Sequence, residues 1–415
     1  MAEVEGPEEI GDRPGSGNSS IDHRTSHRDL LQWCGPGRAA RLDAIVVPAS
    51  RPAYSLVASM ELATAVGARL VAMCSGNAEV RKVAGVAREV PDLRATVLDL
   101  STYRGGWLDD FRTSAVAAAV PRHLGDLSLK RNLGLLLGAA AGWRSLLFLD
   151  DDIRDVRPEL VLRATAGLAH FDIVGMVARS FPDNSVVCHA NRLAGGSQGV
   201  FVSGSAAVLD PTKTLGFFPR VYNEDWLFFH DPLARGRLGA TGTVRQLEYE
   251  PFADPQRAAA EEFGDILAEG LWTLRHLDLT DADANVGYWR EFLQSRRVFI
   301  AAAAETLETQ KLPGPVTTRA LAALAAAERS RANIQAAQLE DYLRRWRDDL
   351  ADWRELRTRF AQCQTLADGL AQLDLSGRAI SIGEQNDCSL AEPVPAAEPA
   401  AEPAPVAELD ALVCG

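Results

Sequence analysis

The chain has 415 residues, 47% of them hydrophobic, and its 56 acids outnumber its 43 lysines and arginines to leave a formal net charge of -13. That length and apolar fraction suffice for a substantial core and more than one domain. The acidic balance excludes a general nucleic-acid binder, which needs a basic surface to meet phosphates. Six cysteines without CxxC spacing argue for reduced thiols and against a structural zinc site.

Residues 1–40 are rich in Gly, Pro, Ser and charge, the composition of a disordered leader. They lack the basic start and apolar stretch of a signal peptide, and no window reaches the roughly 18 apolar residues of a membrane span. The expectation is a cytoplasmic protein without a transmembrane segment.

Residues 41–254 alternate short apolar runs with Ala-rich helical patterns, the signature of an α/β sheet. A first strand is expected over Asp43–Pro48, a helix over Tyr54–Val66, and strands over Arg69–Cys74 and Ala95–Leu100. No GxGxxG follows the first strand, which disfavours a nicotinamide or flavin cofactor. A helix opening at Lys130-Arg131-Asn132 and running to Ala141 leads to Ser145–Ile153, where an apolar run ends in Asp150, Asp151 and Asp152.

That run reads as a strand buried on both faces, and ligands gather outside the carboxyl ends of such strands. Three adjacent like charges repel unless a divalent cation or a ligand hydroxyl shares them. The plainer alternative is a solvated loop or a helix cap ahead of Pro158.

Further strands are expected over Asp172–Ala178 and Gly199–Leu209, the second preceded by the Gly195–Gly199 loop, which suits either close approach to an acceptor or a flexible connection. Asn223-Glu224-Asp225 lies between Phe217-Phe218 and Trp226–Phe229. Acids among aromatic groups are partly desolvated, which raises a carboxyl pKa and suits a general base. Such acids also suit the first turn of a helix. His189, His230 and His276 are the histidines placed to complete a metal shell, although a lone histidine is usually structural.

Residues 255–383 turn helical. In Gln338–Arg347 the residues Leu339, Tyr342, Leu343 and Trp346 form one apolar stripe, expected to pack on the core or to make a homo-oligomer contact. Residues 384–415 repeat Ala-Glu-Pro and read as a disordered tail.

The loop Pro48–Pro52, Lys130–Gly134, the three aspartates and Asn223–Trp226 occur in an order that resembles the nucleotide-sugar-dependent glycosyltransferases of the GT-A fold, particularly the family-2-like group. The resemblance covers Leu42 to Asp254. It implies a GT-A-type, Rossmann-like mixed sheet flanked by helices, with the helical C-terminal region appended. It further implies transfer of a sugar from a nucleotide-diphosphate donor to a hydroxyl acceptor, the Glu-Asp motif favouring inversion while retention stays open.

By resemblance, Asp152 is a direct ligand of Mn2+ or Mg2+, and Asp150 shares the ion or reaches the ribose. Asp225 is then the base and Glu224 orients the acceptor or the base. Pro48, Ser50, Arg51, Arg131, Asn132 and Asp151 line the donor, Lys130 being either a further lining residue or a solvated lysine. Asp99 is placed to accept from a base N–H. Where relatives carry an acidic Gly- and Ser-bearing loop after the second strand, this chain has Cys74-Ser75-Gly76-Asn77, so a UDP-sugar and a GDP-sugar both stay open.

Two other readings stand beside this one. A non-catalytic nucleotide-sugar-binding or scaffold protein would keep the fold without the chemistry. A haloacid-dehalogenase-type phosphotransferase also sets aspartates after an apolar strand, but Arg154 stands where its motif has Thr or Val.

Overall fold

The structure, a computed structural model, describes residues 21–23, 26–35, 40–116, 122–179, 185–197, 199, 201–213, 216–310 and 314–383. The expected tail 384–415 and the first 20 residues of the leader lie outside them.

In chain order the elements are β1 (Gln32–Trp33), β2 (Ala44–Ala49), α1 (Val57–Val66), β3 (Arg69–Cys74), α2 (Val80–Glu89), β4 (Ala95–Asp99), α3 (Gly106–Asp109), α4 (Arg112–Val116) and α5 (Arg122–Ala140). There follow β5 (Leu146–Leu149), β6 (Ile153–Arg154), α6 (Pro158–Gly167), β7 (Ile173–Arg179), α7 (Val186–Leu193), β8 (Ala206–Leu209), α8 (Glu224–Ala234) and β9 (Leu238–Gln246). The helices α9 (Pro255–His276), α10 (Val286–Thr309), α11 (Pro315–Asn333), α12 (Ala336–Phe360) and α13 (Leu366–Gln372) precede a last strand, β10 (Ala379–Ile382).

Among the described residues ten strands form one mixed sheet, in the order β1-β9-β7-β8-β5-β2-β3-β4-β10 with β6 paired to β9. The α/β class and the mixed sheet flanked by helices are therefore as the sequence indicates. Strands β5, β2, β3 and β4 are mutually parallel, and β8 runs antiparallel between β5 and β7. From β2 the chain steps outward to β3 and β4, then returns through α5 to place β5 on the other side of β2. The reversal makes a topological switch point at the carboxyl ends of β2 and β5, and open α/β sheets bind ligands in the crevice outside such a point.

Alternation along the strands explains the layers. Ala44, Val46, Leu146 and Phe148 join a cluster with α5, α8, α9 and α12, whereas Ile45, Val47, Leu147 and Leu149 face a second cluster with α1, α2 and α6. Both faces are covered, so β5 reads as an unbroken apolar run. Each fully buried side chain of this size contributes about 2 kcal/mol of burial. Helix α5 sits close on β5 because Gly134 lacks a side chain: a Cβ there would lie 2.7 Å from the Phe148 ring.

Several expectations change. Helix α5 begins at Arg122, so Lys130-Arg131-Asn132 lies within it and does not open it. The strand expected over Gly199–Leu209 shortens to Ala206–Leu209, because Gly204 and Ser205 form a turn. Strand β9 was not anticipated, since its Gly, Thr and Arg residues break the apolar pattern. Part of the leader is ordered: Gln32 and Trp33 pair with Gly239 and Ala240, and His27 is buried.

Helices α9, α10, α12 and α13 share the core cluster with the sheet, whereas α11 packs in a further cluster with α7, α9 and α10. The stripe Leu339, Tyr342, Leu343 and Trp346 is buried within the core cluster, which leaves it unavailable as an oligomer contact. Nearby, Asp349 of α12 accepts the backbone amides of Arg112 and Thr113, each at 2.8 Å. Strand β10 pairs antiparallel with β4, covering that edge of the sheet. Among the described residues no helix is long and apolar enough to cross a membrane.

Candidate functional site

The chain turns sharply after Leu149, so the three aspartates part company. The Asp150 amide donates to the Ser205 carbonyl at 2.9 Å, which ties the end of β5 to the turn before β8. The side chain of Asp150 accepts from Arg131 Nη2 at 3.0 and 3.2 Å. Burial pushes its pKa up to about 6, with Arg131 opposing and the neighbouring aspartates adding to the rise.

Asp151 serves the backbone. Its Oδ2 accepts the amides of Ser50 at 2.7 Å and Arg51 at 2.8 Å, while Oδ1 pairs with the Arg51 guanidinium. This buried carboxylate shapes the loop after β2, a reason to remove it from the donor-lining residues. Asp152 Oδ2 accepts from Arg51 Nη2 at 3.0 Å and faces Gln246 Nε2 at 3.5 Å. Burial raises the Asp152 pKa and Arg51 works against it.

The acids of α8 reach the same place from the far side. Asn223 takes a left-handed conformation at φ 57° ahead of the helix, one that asparagine tolerates, and its side chain donates to Asp265 at 2.8 Å. Glu224 and Asp225 then fill the first turn, so the helix-start reading and a role in the site coexist. Glu224 accepts from Arg131 Nη1 at 2.6 Å, and burial drives its pKa up despite that arginine. Asp225 Oδ2 accepts the Gly204 amide at 2.6 Å and Oδ1 accepts its neighbour Trp226 at 2.9 Å.

Gly204 is needed for this contact. A Cβ there would stand 2.8 Å from the Arg131 guanidinium and 3.1 Å from Asp225 Cβ. Thus Asp150, Glu224 and Asp225 surround one arginine, although the acids are widely separated in sequence.

The other expected residues divide by burial. Arg131, only 3% exposed, spends its charge on Asp150 and Glu224, and Asn132 is fully buried with both amide atoms on the Phe218 backbone at 2.8 Å. Neither is available to a donor, and Pro48 is buried inside β2. Lys130 is buried too, its Nζ donating to the Ala49 carbonyl at 2.9 Å and Ser75 Oγ at 2.7 Å and pairing with Asp126 at 2.6 Å. It locks together the loops after β2 and β3, and is not a solvated lysine.

Ser50 is exposed just beyond the end of β2, and Arg51 has a side chain 41% exposed. Asp99 ends β4, two strands from β2, where hydrogen bonds from Ser101 hold its pKa down. The structure does not bring it to the aspartates.

Among the described residues no set of three or more His, Cys, Asp and Glu side chains is arranged to hold a metal ion. His189 contacts Tyr249, His230 contacts Asp281, and His276 contacts His27, so none joins the aspartates. Asp150 and Asp152 are each paired with an arginine. Their hard oxygens nevertheless suit Mg2+ or Mn2+. Beside Asp152 the buried Gln246 Oε1 has no hydrogen-bond partner. Sequence reasoning missed Gln246, which carries no local signature and becomes relevant only through the pairing of β9 with β6.

No protein-family model and no curated protein matches the chain.

Proposed function

We propose that the chain is a glycosyltransferase of GT-A type that moves a sugar from a nucleotide-diphosphate donor to a hydroxyl acceptor, with inversion. One observation carries this reading: the acids ending β5 and the acids opening α8 converge around Arg131 at the carboxyl end of the sheet, beside the β2–β5 crevice. Paired acid groups in such a crevice match the division between a donor-holding element and a base.

Asp150 and Asp152 would hold Mn2+ or Mg2+, which when bound neutralises the diphosphate and the charge of the departing nucleotide. Arg51, partly exposed and paired with Asp151 and Asp152, would pair with a diphosphate oxygen, while the Ser50 hydroxyl would meet the nucleoside side. Asp225, held in place by Gly204 and Trp226, accepts the acceptor hydroxyl proton. Glu224 holds Arg131 and keeps the first turn of α8 against the end of β5.

Calorimetry with UDP- and GDP-sugars plus Mn2+, followed by a donor-turnover assay, tests the reading. Transfer that is lost in Asp225→Asn is the expected result, and full activity in that variant sinks the base assignment. The burial of Glu224 and Asp225 favours a second reading, a nucleotide-sugar-binding protein without turnover. Binding without product in the same assay selects it.

A further inference from the structure

We infer that the leader is a latch on the first turn of α8: His23 and His27 hold the residues on either side of Glu224 and Asp225, and a proton taken up by His23 releases the hold. The latch rests on the glycosyltransferase reading only for the work of the two acids that it steadies.

The hold on Asn223 is a chain of hydrogen bonds. The His23 amide donates to Ser295 Oγ at 2.9 Å, and the ring stacks on Phe299 with centroids 4.1 Å apart. Arg296 Nη1 donates to His23 Nε2 at 2.7 Å and Arg296 Nη2 to Asp265 at 2.6 Å, while Asp265 accepts from the Asn223 side chain at 2.8 Å. Arg296 and Asp265 are both buried. The hold on Trp226 is packing. The buried ring of His27 meets the Trp226 ring edge-on at 5.0 Å, and Trp226 stacks on Trp272 at 4.4 Å. Asp225 accepts the amides of Trp226 and Gly204, so the residue under His27 is also one that orients the proposed base.

The two imidazoles differ in what a proton does to them. A guanidinium only donates, so His23 Nε2 is a bare acceptor and the ring hydrogen sits on Nδ1. A proton on Nε2 sets donor against donor and two positive charges side by side in a buried place. Nδ1 is buried without a hydrogen-bond partner, so nothing on the other edge of the ring offsets that loss. Of the charged groups around the ring, α10 supplies Arg296 and α9 supplies Glu269, with Oε1 at 3.9 Å, while Glu262 and Asp265 are engaged with Arg296. Cys188 and Arg192 of α7 and His27 of the leader itself line the same cavity. Glu269 favours a proton on His23, but it stands farther off than Arg296 and is engaged with His27 at 3.1 Å. Burial, followed by Arg296 and His27, holds the His23 pKa well below 6.5. His27 has Glu269 on one nitrogen and His276 on the other at 3.0 Å, so a proton there is accommodated. His23 is therefore the pin that acid withdraws. The released leader takes the proton and the docked one does not, so docking weakens about tenfold for each pH unit below about 6.5.

Hydrogen exchange of the full chain, read by mass spectrometry at about pH 7.5, 6.5 and 5.5 with the chemistry of exchange corrected for, tests the latch on the wild type and His23→Gln. The glutamine still accepts from Arg296 but does not titrate. In the wild type, opening of peptides from the leader is expected to rise about tenfold between the two lower pH values, with peptides carrying Gly204 and Trp226 opening alongside. His23→Gln is expected to stay closed over the whole range. Selective 15N-histidine magnetic resonance of the wild type at the highest pH is expected to show His23 with its hydrogen on Nδ1.

Leader opening that ignores pH, or that rises equally in His23→Gln, overturns the proton release. Opening of the leader with unchanged exchange at Gly204 and Trp226 overturns the hold on α8. If circular dichroism shows that His23→Gln does not fold, the wild-type resonance decides: a hydrogen on Nε2 at the highest pH overturns the latch, and a bare Nε2 down to the pH at which the leader opens supports it. Opening as expected in a protein that neither binds nor turns over UDP- or GDP-sugars leaves the latch standing and the glycosyltransferase reading fallen.

Discussion

Arg131 donates to Glu224 at 2.6 Å across the space between α5 and α8, which makes one buried guanidinium the junction between the two acidic motifs of the chain. Its other amino group holds Asp150 at 3.0 Å. An arginine that is 3% exposed is desolvated, and only its carboxylates make that burial tolerable.

Arg131→Met leaves Glu224 buried without its cation and is expected to destabilise the fold by about 3–5 kcal/mol. The double variant Arg131→Met with Glu224→Leu should be more stable than the single one, because Glu224 is no longer left buried without its partner, while Asp150 loses its arginine in both. Urea unfolding of the four proteins in the cycle measures the difference. Losses in Arg131→Met and Glu224→Leu that add up to the loss in the double variant would show that the pair has no energetic connection.

Asp151 is expected to act on stability through the loop after β2. Asp151→Ala removes the acceptor of the Ser50 and Arg51 amides and is expected to cost about 2–4 kcal/mol, two charge-assisted hydrogen bonds being lost. Asp151→Asn keeps one acceptor oxygen and should lose about half as much. Hydrogen exchange at the Ser50 and Arg51 amides checks the cause: those amides should lose protection in Asp151→Ala ahead of the β2 core.

His189 should make the protein acid-sensitive. Burial, followed by the charges of Arg192 and Arg257, lowers its pKa from 6.5 to about 3. The unfolded chain therefore binds the proton first as pH falls, so the stabilising effect is present above pH 6.5 and is lost as the pH drops toward 3. Between pH 7 and pH 5 this group alone removes about 2 kcal/mol. His189→Gln should reduce the acid loss by that amount, and denaturation midpoints at the two pH values provide the measurement.

Leu339 tests whether the helical region belongs to the core. Leu339→Ala empties a fully buried position and is expected to cost about 2–5 kcal/mol, with no change in sedimentation mass. A fall in mass with stability intact would instead mark the stripe as a subunit contact.

Much of the fold could be read before the structure. Arg69–Cys74 has the expected bounds, the first strand is shifted by one residue at each end, and the third is one residue shorter at its end. Those segments are short, apolar and buried on both faces, so composition alone marks them. Strand β9 escaped because its stability comes from neighbours on either side and not from its own apolar content. Ordering of the leader around His27 was equally invisible, since the surfaces that bury it belong to Trp226, Trp272 and Glu269.

For the site, the residue types were legible and their partners were not. The sequence by itself determined that three acids end a buried strand and that two more follow between aromatic residues, because apolar runs and charge are properties of neighbouring residues. Only the tertiary structure decided that Asp151 serves the backbone, that Arg131 and Asn132 are buried, and that Gln246 stands beside Asp152. Those outcomes depend on strand order and on helix-to-sheet distance, and long-range packing sets both. A carboxylate's role follows from which donor reaches it first, and that donor lies on another element of the chain.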